Sequence, residues 1–240
     1  MDQPAFLNPL VLPVEIRDAE QVGEVDLYLP DAVGPAPAVV IVHGGPTPAE
    51  LRPTPRGWPM YQGYASALAA RGLVAVTVDH GLHTPAGFAE AADAVAAAVD
   101  VARKDPRVDA DRLVLWFFSG GGLLMSDWLR DPPGWLRGIA ASFPMLGAVP
   151  GLAADEPRFR PAEAVAAAGD LPIVLTRVGL ESPQLAATVE AFVVAAGASD
   201  VRLRIIDLPN GRHSFDILDD TEESRAAIKE ALDAVTGLLC

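Results

Sequence analysis

Short apolar runs alternate with longer helix-compatible segments along most of the chain. The runs have the length and composition typical of strands buried within a sheet. Predicted strands occupy six segments: Ala38–Val42, Leu73–Val78, Leu113–Phe118, Leu136–Phe143, Ile173–Thr176 and Val201–Leu208. Two further strand-like segments, Leu10–Ile16 and Val22–Leu29, predict an antiparallel start to the chain.

Helices are predicted between these strands. Their segments are Met60–Ala70, Pro85–Arg103, Pro183–Ala196 and Thr221–Leu238, and a shorter helix is expected to end at Asp127–Leu129. Proline in the first turn and glycine or proline near the ends support these boundaries.

Three polar residues precede predicted helices and are expected to cap them, namely Thr84, Ser182 and Asp220. Glu223 stands three residues after Asp220, the spacing of a capping box. The alternation of strands and helices predicts an α/β fold, a parallel sheet covered on both faces in a single domain of residues 1–240. Ligands of such sheets bind outside the carboxyl ends of the strands, where each candidate motif falls.

Composition narrows the classes of protein to consider. The chain has 240 residues, half of them hydrophobic, and no uninterrupted apolar segment of the length that spans a membrane. The N-terminus lacks the pattern of a secretory signal, and the only cysteine is Cys240, so we expect a cytoplasmic protein without an intrachain disulfide. A net charge of −14 disfavours binding to nucleic acid and to anionic membranes.

Ser119 lies between an apolar run and three glycines, in the segment Leu113 to Leu124. A strand that ends in a serine and turns sharply into a helix is the outline of a nucleophile elbow. The glycines leave room in a crowded turn, although a Ser-Gly-Gly-Gly run is also typical of a flexible turn. The N–H groups of the following helix, with Gly120 first, can hold a developing oxyanion.

Two histidine-containing loops also follow predicted strands. His43-Gly44-Gly45-Pro46 comes directly after Ala38–Val42, and the N–H groups of Gly44 and Gly45 can complete an oxyanion hole. An ordinary glycine turn is the alternative.

His213 follows the last predicted strand and can serve as a general base towards Ser119. Glu181, after the preceding strand, is the preferred carboxylate partner, because the chain order Ser, Glu, His is the order of this architecture. Asp207 is the main rival, and Asp79 and Asp216 are weaker candidates.

These motifs together resemble the α/β-hydrolase superfamily, and most closely its dienelactone hydrolase-like branch. The resemblance covers roughly Pro35 to the C-terminus. It rests on His-Gly-Gly-Pro, on the Ser-Gly-Gly elbow, on an acid after the penultimate strand and on Gly-x-His-x-Phe near the end. It implies an α/β-hydrolase fold with Ser119 as nucleophile, Glu181 as acid and His213 as base.

The chain departs from that family at three positions. The acid, Glu181, is a glutamate where aspartate is commoner. Phe117 replaces the first glycine of the usual elbow, and the nucleophile is serine where dienelactone hydrolases use cysteine, so the substrate is expected to differ from dienelactone. The short segment between Phe143 and Ile173 predicts no large cap domain.

The Pro-rich loop Pro46–Pro59 is the candidate for a small lid, and five residues are expected to line a substrate pocket: Trp58, Tyr61, His80, His83 and Phe118. For His80 and His83, a surface position is an equal alternative.

The resulting hypothesis is a serine hydrolase that cleaves a carboxylic ester of a small or medium apolar substrate. The sequence does not choose between an ester, an amide and a thioester. It implies no cofactor and no metal, and it leaves a homodimer open. A cyclase, lyase or isomerase with the same pocket is one alternative, and a non-catalytic ligand-binding protein is another.

Overall fold

The computed structural model describes residues 4–153 and 155–240. Within them, one sheet contains eight strands in the order β1-β2-β4-β3-β5-β6-β7-β8. The strands are β1 Glu20–Val22, β2 Val25–Tyr28, β3 Ala36–Val42, β4 Val74–Val78, β5 Val108–Phe118, β6 Leu136–Ser142, β7 Ile173–Leu180 and β8 Leu203–Arg212. Residues 1–3, part of the N-terminus on which the expectation of no signal rests, lie outside the described residues.

Helices connect the strands on both sides of this sheet. They are α1 Pro59–Ala69, α2 Phe88–Lys104, α3 Met125–Arg130, α4 Pro161–Ala164, α5 Pro183–Ala198, α6 Phe215–Leu218 and α7 Glu222–Gly237. The described residues between β6 and β7 form only α4 and short 3₁₀ turns, in agreement with the predicted lack of a large cap domain. No helix of the described chain is long and apolar enough to cross a bilayer.

Strands β3 to β8 are parallel, and only β1 and β2 pair antiparallel with their neighbours. Successive side chains of a strand point to opposite faces, so each buried strand serves two cores. Leu115 and Phe117 of β5 join the cluster that packs α2, α3 and α5, whereas Trp116 and Phe118 join the cluster that packs α1 and α7. This two-sided burial explains why the strand sequences are continuously apolar.

The predicted strand Leu10–Ile16 is wrong. This segment forms no strand and lies instead near α1 and α6, where the N–H of Val11 donates to the carbonyl of Asp216. Pro13 within it has no N–H, which weakens any ladder that the segment could form.

Two of the three predicted caps are also wrong. Helix α2 begins after Gly87, with no side-chain cap, three residues beyond the predicted cap Thr84. Thr221 caps α7 by accepting the N–H of Ser224, while Asp220 pairs with Arg225 instead. Ser182 caps α5 as predicted and accepts the N–H of Leu185.

Candidate active site

Ser119 stands at the carboxyl end of β5, in the middle of the sheet. Its φ angle is +47°, in the left-handed region that non-glycine residues seldom adopt. The chain turns there from the strand directly into a 3₁₀ turn, Ser119–Leu124, which continues as α3. Such local strain is typical of functional sites, and the backbone here has the shape of a nucleophile elbow.

The glycines after Ser119 are required by close backbone contacts. A Cβ on Gly120 would lie 1.9 Å from the carbonyl oxygen of Gly45, and one on Gly121 would lie 2.4 Å from that of His43. The elbow therefore packs against the loop after β3 at a distance that only glycine permits.

Phe117, which replaces the usual glycine of the elbow, is accommodated in the core. Its side chain is fully buried, and its neighbours on the adjacent strands are Val42 and Ala141. The small side chain of Ala141 leaves space beside the ring, so the departure at this position is compatible with the elbow.

Three side chains from three strand ends form one hydrogen-bonded series. The hydroxyl of Ser119 donates to Nε2 of His213 at 2.7 Å, and Nδ1–H of His213 donates to Oε2 of Glu181 at 2.5 Å. Glu181 directly follows β7, and His213 directly follows β8. The structure thus brings together the three residues that the sequence motifs singled out.

The carboxyl of Glu181 is held in its charged form. Burial raises its pKa, but hydrogen bonds from His213 and from the N–H of Ser182, together with the nearby imidazole, outweigh burial and bring the pKa below its ordinary value. Each carboxylate oxygen accepts one N–H. Oε2 accepts that of His213 Nδ1, and Oε1 accepts that of the Ser182 backbone at 2.7 Å. A charged acceptor at Nδ1 keeps the proton on that nitrogen and leaves Nε2 free to accept the serine proton.

The rival carboxylates are engaged elsewhere. Asp207 pairs with Arg177 at 2.8 Å, and its side chain is 58% exposed. Asp79 pairs with Arg56 at 3.0 Å. Asp216 is fully buried and accepts a hydrogen bond from the hydroxyl of Tyr64.

The loop after β3 lies against the elbow, and its two glycines differ in their contacts. The N–H of Gly44 donates to the hydroxyl of Tyr61 at 3.1 Å, which speaks against the expectation that it faces an oxyanion. Gly45 contacts Gly120 closely. The N–H of Gly120 lies in the first turn after the strand, where no intrahelical acceptor exists.

Two residues of the substrate pocket expected from the sequence lie within the core. Phe118 is fully buried against Tyr64 and Trp116, because the alternation along β5 turns it towards α1. Tyr61 is 3% exposed, with its ring edge on Phe118.

Trp58 is half-buried at the surface of the same region. It stacks on Tyr61 with ring centroids 6.0 Å apart, and its indole N–H donates to the carbonyl of Pro53. Trp58, which belongs to the candidate lid Pro46–Pro59, thus covers one face of Tyr61.

The remaining histidines line a separate cavity of about 360 Å³ behind the β3 loop. His80 is buried and stacks on His43, while His83 is exposed and donates Nδ1–H to the carbonyl of Thr47. Over the described part of the chain, no group of three or more histidine, cysteine, aspartate or glutamate side chains is arranged to hold a metal ion.

A larger cavity of about 710 Å³ was not foreseen from the sequence. Glu181 forms part of its wall, as does Phe143, whose ring packs edge-on against His213 with centroids 5.0 Å apart. The remaining walls are mainly apolar and include Val178, Ala186, Val189, Leu208 and Pro209. The sequence signal for this cavity is the presence of small and apolar residues on either side of Glu181. Many strand ends share this feature, so it does not predict a cavity.

The structure is similar to solved esterases over most of its length. It matches a thermostable esterase of Pseudomonas putida with a TM-score of 0.72 and 17% identity, over 96% of this chain and 85% of that one. It matches Thermogutta terrifontis esterase 2, phosphoramylated by tabun, with a TM-score of 0.67 and 16% identity, over 95% and 94%. For a protein of Klebsiella pneumoniae assigned as a dienelactone hydrolase, the TM-score is 0.67 at 16% identity, over 89% and 92%.

These similarities establish the fold. The chain has the α/β-hydrolase fold, as the resemblance of its motifs implied. No protein-family model matches the sequence, and no curated protein matches it significantly. A shared fold at 16–17% identity does not define the reaction, which depends on the residues of the site.

Proposed function

We propose that this protein is a serine hydrolase that cleaves a carboxylic ester of a small or medium apolar substrate. The observation that carries the proposal is the series Ser119–His213–Glu181, with hydrogen bonds of 2.7 and 2.5 Å, set on a strained elbow. Nucleophile, base and orienting acid stand in the relation that acyl transfer requires.

In the first half-reaction, Nε2 of His213 takes the proton of the Ser119 hydroxyl while Oγ attacks the ester carbonyl carbon. The oxyanion that forms accepts hydrogen bonds from the N–H groups of Gly120 and Gly45. The imidazolium, stabilised by Glu181, then gives its proton to the departing alkoxide, and the alcohol leaves an acyl group on Ser119.

The second half-reaction repeats these steps with water as the nucleophile. His213 takes a proton from water, the hydroxide attacks the acyl carbonyl, and the carbonyl reforms as the bond to Ser119 Oγ breaks. His213 returns the proton to Oγ, so a carboxylic acid is released and the enzyme is regenerated.

The apolar character of the substrate is supported by the cavity beside Glu181. Its volume, about 710 Å³, is within the range of small-molecule sites, and its walls are mainly apolar. We propose that one apolar group of the ester, on its acyl or its alcohol side, occupies this cavity.

A series of p-nitrophenyl esters with short, medium and long acyl chains tests this function. We expect hydrolysis that depends on chain length and that disappears in Ser119→Ala, since loss of a triad nucleophile costs up to about 10⁶ in turnover. Residual hydrolysis by a folded Ser119→Ala protein at more than a few per cent of the wild-type rate would contradict the proposal. Corresponding amides and thioesters show which acyl compound is preferred.

A further inference from the structure

His80 is a buried residue that the mechanism above does not use. It follows β4, and its ring lies parallel to that of His43, with centroids 3.6 Å apart and an interplanar angle of 13°. Its Nε2–H donates to the carbonyl of His43 at 2.9 Å, and its Nδ1 accepts the N–H of Leu82 at 3.3 Å. Both ring nitrogens are thus bonded to the backbone, which defines a single neutral tautomer.

His43 in turn donates a hydrogen bond to the backbone of the loop after β3. Its Nδ1–H donates to the carbonyl of Gly44. The peptide between His43 and Gly44 is held at both ends, because its carbonyl accepts from His80 and its N–H donates to Tyr61. The next peptide, between Gly44 and Gly45, is held through its carbonyl by His43.

These contacts determine where the N–H of Gly45 points. In a trans peptide the C=O and N–H bonds point in opposite directions. The carbonyl of Gly44 faces the ring of His43, so the N–H of Gly45 leaves the loop on the side away from the histidines. The nitrogen of Gly45 lies 3.2 Å from where a Cβ of Gly120 would stand, and a Cβ on Gly44 would lie 3.4 Å from Ser119 Oγ.

We propose that His80 is a positioning residue of the oxyanion hole. Stacked on His43 and bonded to its carbonyl, it fixes two successive peptides of the β3 loop so that the N–H of Gly45 is presented beside the elbow. This role rests on the proposed function, because it assumes that an oxyanion forms at Ser119.

The charge state of the two histidines is consistent with this role. Burial lowers the pKa of His80 to about 4, against opposing contributions from the bond to His43 and from Asp79, while His83 lowers it further. Burial and the neighbouring imidazole of His80 hold the pKa of His43 well below its ordinary value. Two neutral rings can stack closely, whereas two imidazolium ions at this distance would repel each other.

Two substitutions separate the two hydrogen bonds of His80. In His80→Gln the amide nitrogen can take the place of Nε2 and donate to His43. In His80→Asn the shorter amide can take the place of Nδ1 and accept from Leu82, but it cannot reach His43. Thr77→Val on β4 is the control, because the buried hydroxyl of Thr77 has no hydrogen-bond partner in the structure and valine has nearly the same shape.

The test combines two measurements. One is steady-state kinetics with an ester that the wild-type protein hydrolyses, and the other is hydrogen exchange of the Gly44 amide followed by NMR. Loss of one oxyanion donor costs about 10² to 10³ in turnover. We expect His80→Asn to lower kcat at least about tenfold with KM changed less than about threefold, and His80→Gln and Thr77→Val to stay within about threefold of wild-type kcat. The Gly44 amide should exchange faster in His80→Asn only.

The proposal is overturned if His80→Asn and His80→Gln lose activity equally, or if His80→Asn melts at a lower temperature but keeps its kcat. The exchange measurement does not depend on catalysis. Should the wild-type protein hydrolyse no ester, unprotected Gly44 in His80→Asn would still show that His80 holds the loop, and the proposed function alone would fail. Unchanged exchange in His80→Asn would refute the positioning role in either case.

Discussion

Replacement of Glu181 by glutamine should lower kcat by about 10⁴, the cost of the corresponding change in a serine protease. The structure gives the reason. Both carboxylate oxygens accept an N–H, one from His213 and one from Ser182. A glutamine side chain has one acceptor and one donor, so one of these two contacts must become a repulsion between donors.

Either orientation of the glutamine amide is unfavourable. If its oxygen keeps Ser182, its NH₂ group faces Nδ1 of His213 and favours the tautomer that carries the proton on Nε2. That tautomer cannot accept the proton of Ser119. If its oxygen keeps His213, the NH₂ group opposes the N–H of Ser182, and the charge that stabilises the imidazolium is still lost. A 10⁴-fold loss corresponds to about 5.4 kcal/mol in activation free energy.

Asp207→Asn is the matched control for Glu181→Gln. It removes the same charge from the wall of the same cavity, but from a residue that pairs with Arg177 and not with His213. We expect it to leave kcat within about threefold of wild type, since exposed ion pairs contribute little. The assay is steady-state hydrolysis of a p-nitrophenyl ester by variants shown to be folded by circular dichroism. If Asp207→Asn were the inactive variant and Glu181→Gln the active one, Asp207 would be the orienting acid and the reasoning would be refuted.

Three further predictions concern the elbow, a buried carboxyl and the cavity. Gly120→Ala should abolish hydrolysis and destabilise the fold by on the order of 1–3 kcal/mol, because its Cβ would overlap the Gly45 carbonyl. Gly197 is a helical glycine with open space around it, so the control Gly197→Ala should raise the free energy of unfolding in urea by up to about 1 kcal/mol. Burial raises the pKa of Asp216 to about 7, against 3.8 in the unfolded chain. The free energy of unfolding of the wild type should therefore fall by up to about 4 kcal/mol relative to that of Asp216→Asn as the pH rises from about 4 to above 7. Parallel pH profiles of the two unfolding free energies would contradict this. Ala186→Trp should narrow the cavity and shift the kcat/KM preference towards short acyl chains, and an unchanged profile would place the apolar group elsewhere.

Much of the fold could be predicted because the strands are buried on both faces. A strand such as Val74–Val78 has to be continuously apolar when helices cover both sides of the sheet, so its pattern is visible in the sequence. The segment Leu10–Ile16 is also rich in branched apolar residues, but it contains Pro13 and lies outside the sheet. Its conformation is set by distant contacts such as that of Val11 with Asp216, which no local pattern encodes.

The series Ser119, Glu181, His213 could be predicted because each residue stands at the end of a parallel strand, and parallel strands end at the same edge of the sheet. The fine geometry of the β3 loop could not. Gly44 and Gly45 look equivalent in the sequence, and only the contact of Gly44 with Tyr61 distinguishes them. Likewise, the alternation along β5 that buries Phe118 depends on helices packing against both faces of the sheet.

The central claim is that Ser119 is an activated nucleophile, and reaction with a fluorophosphonate probe tests it most directly. Peptide mass spectrometry after labelling of the folded protein should locate one adduct, on Ser119. The adduct should be absent in Ser119→Ala and should form far more slowly in His213→Ala, because the base that activates the hydroxyl is missing. Absence of labelling in folded wild-type protein, or an adduct on another serine, would contradict the account.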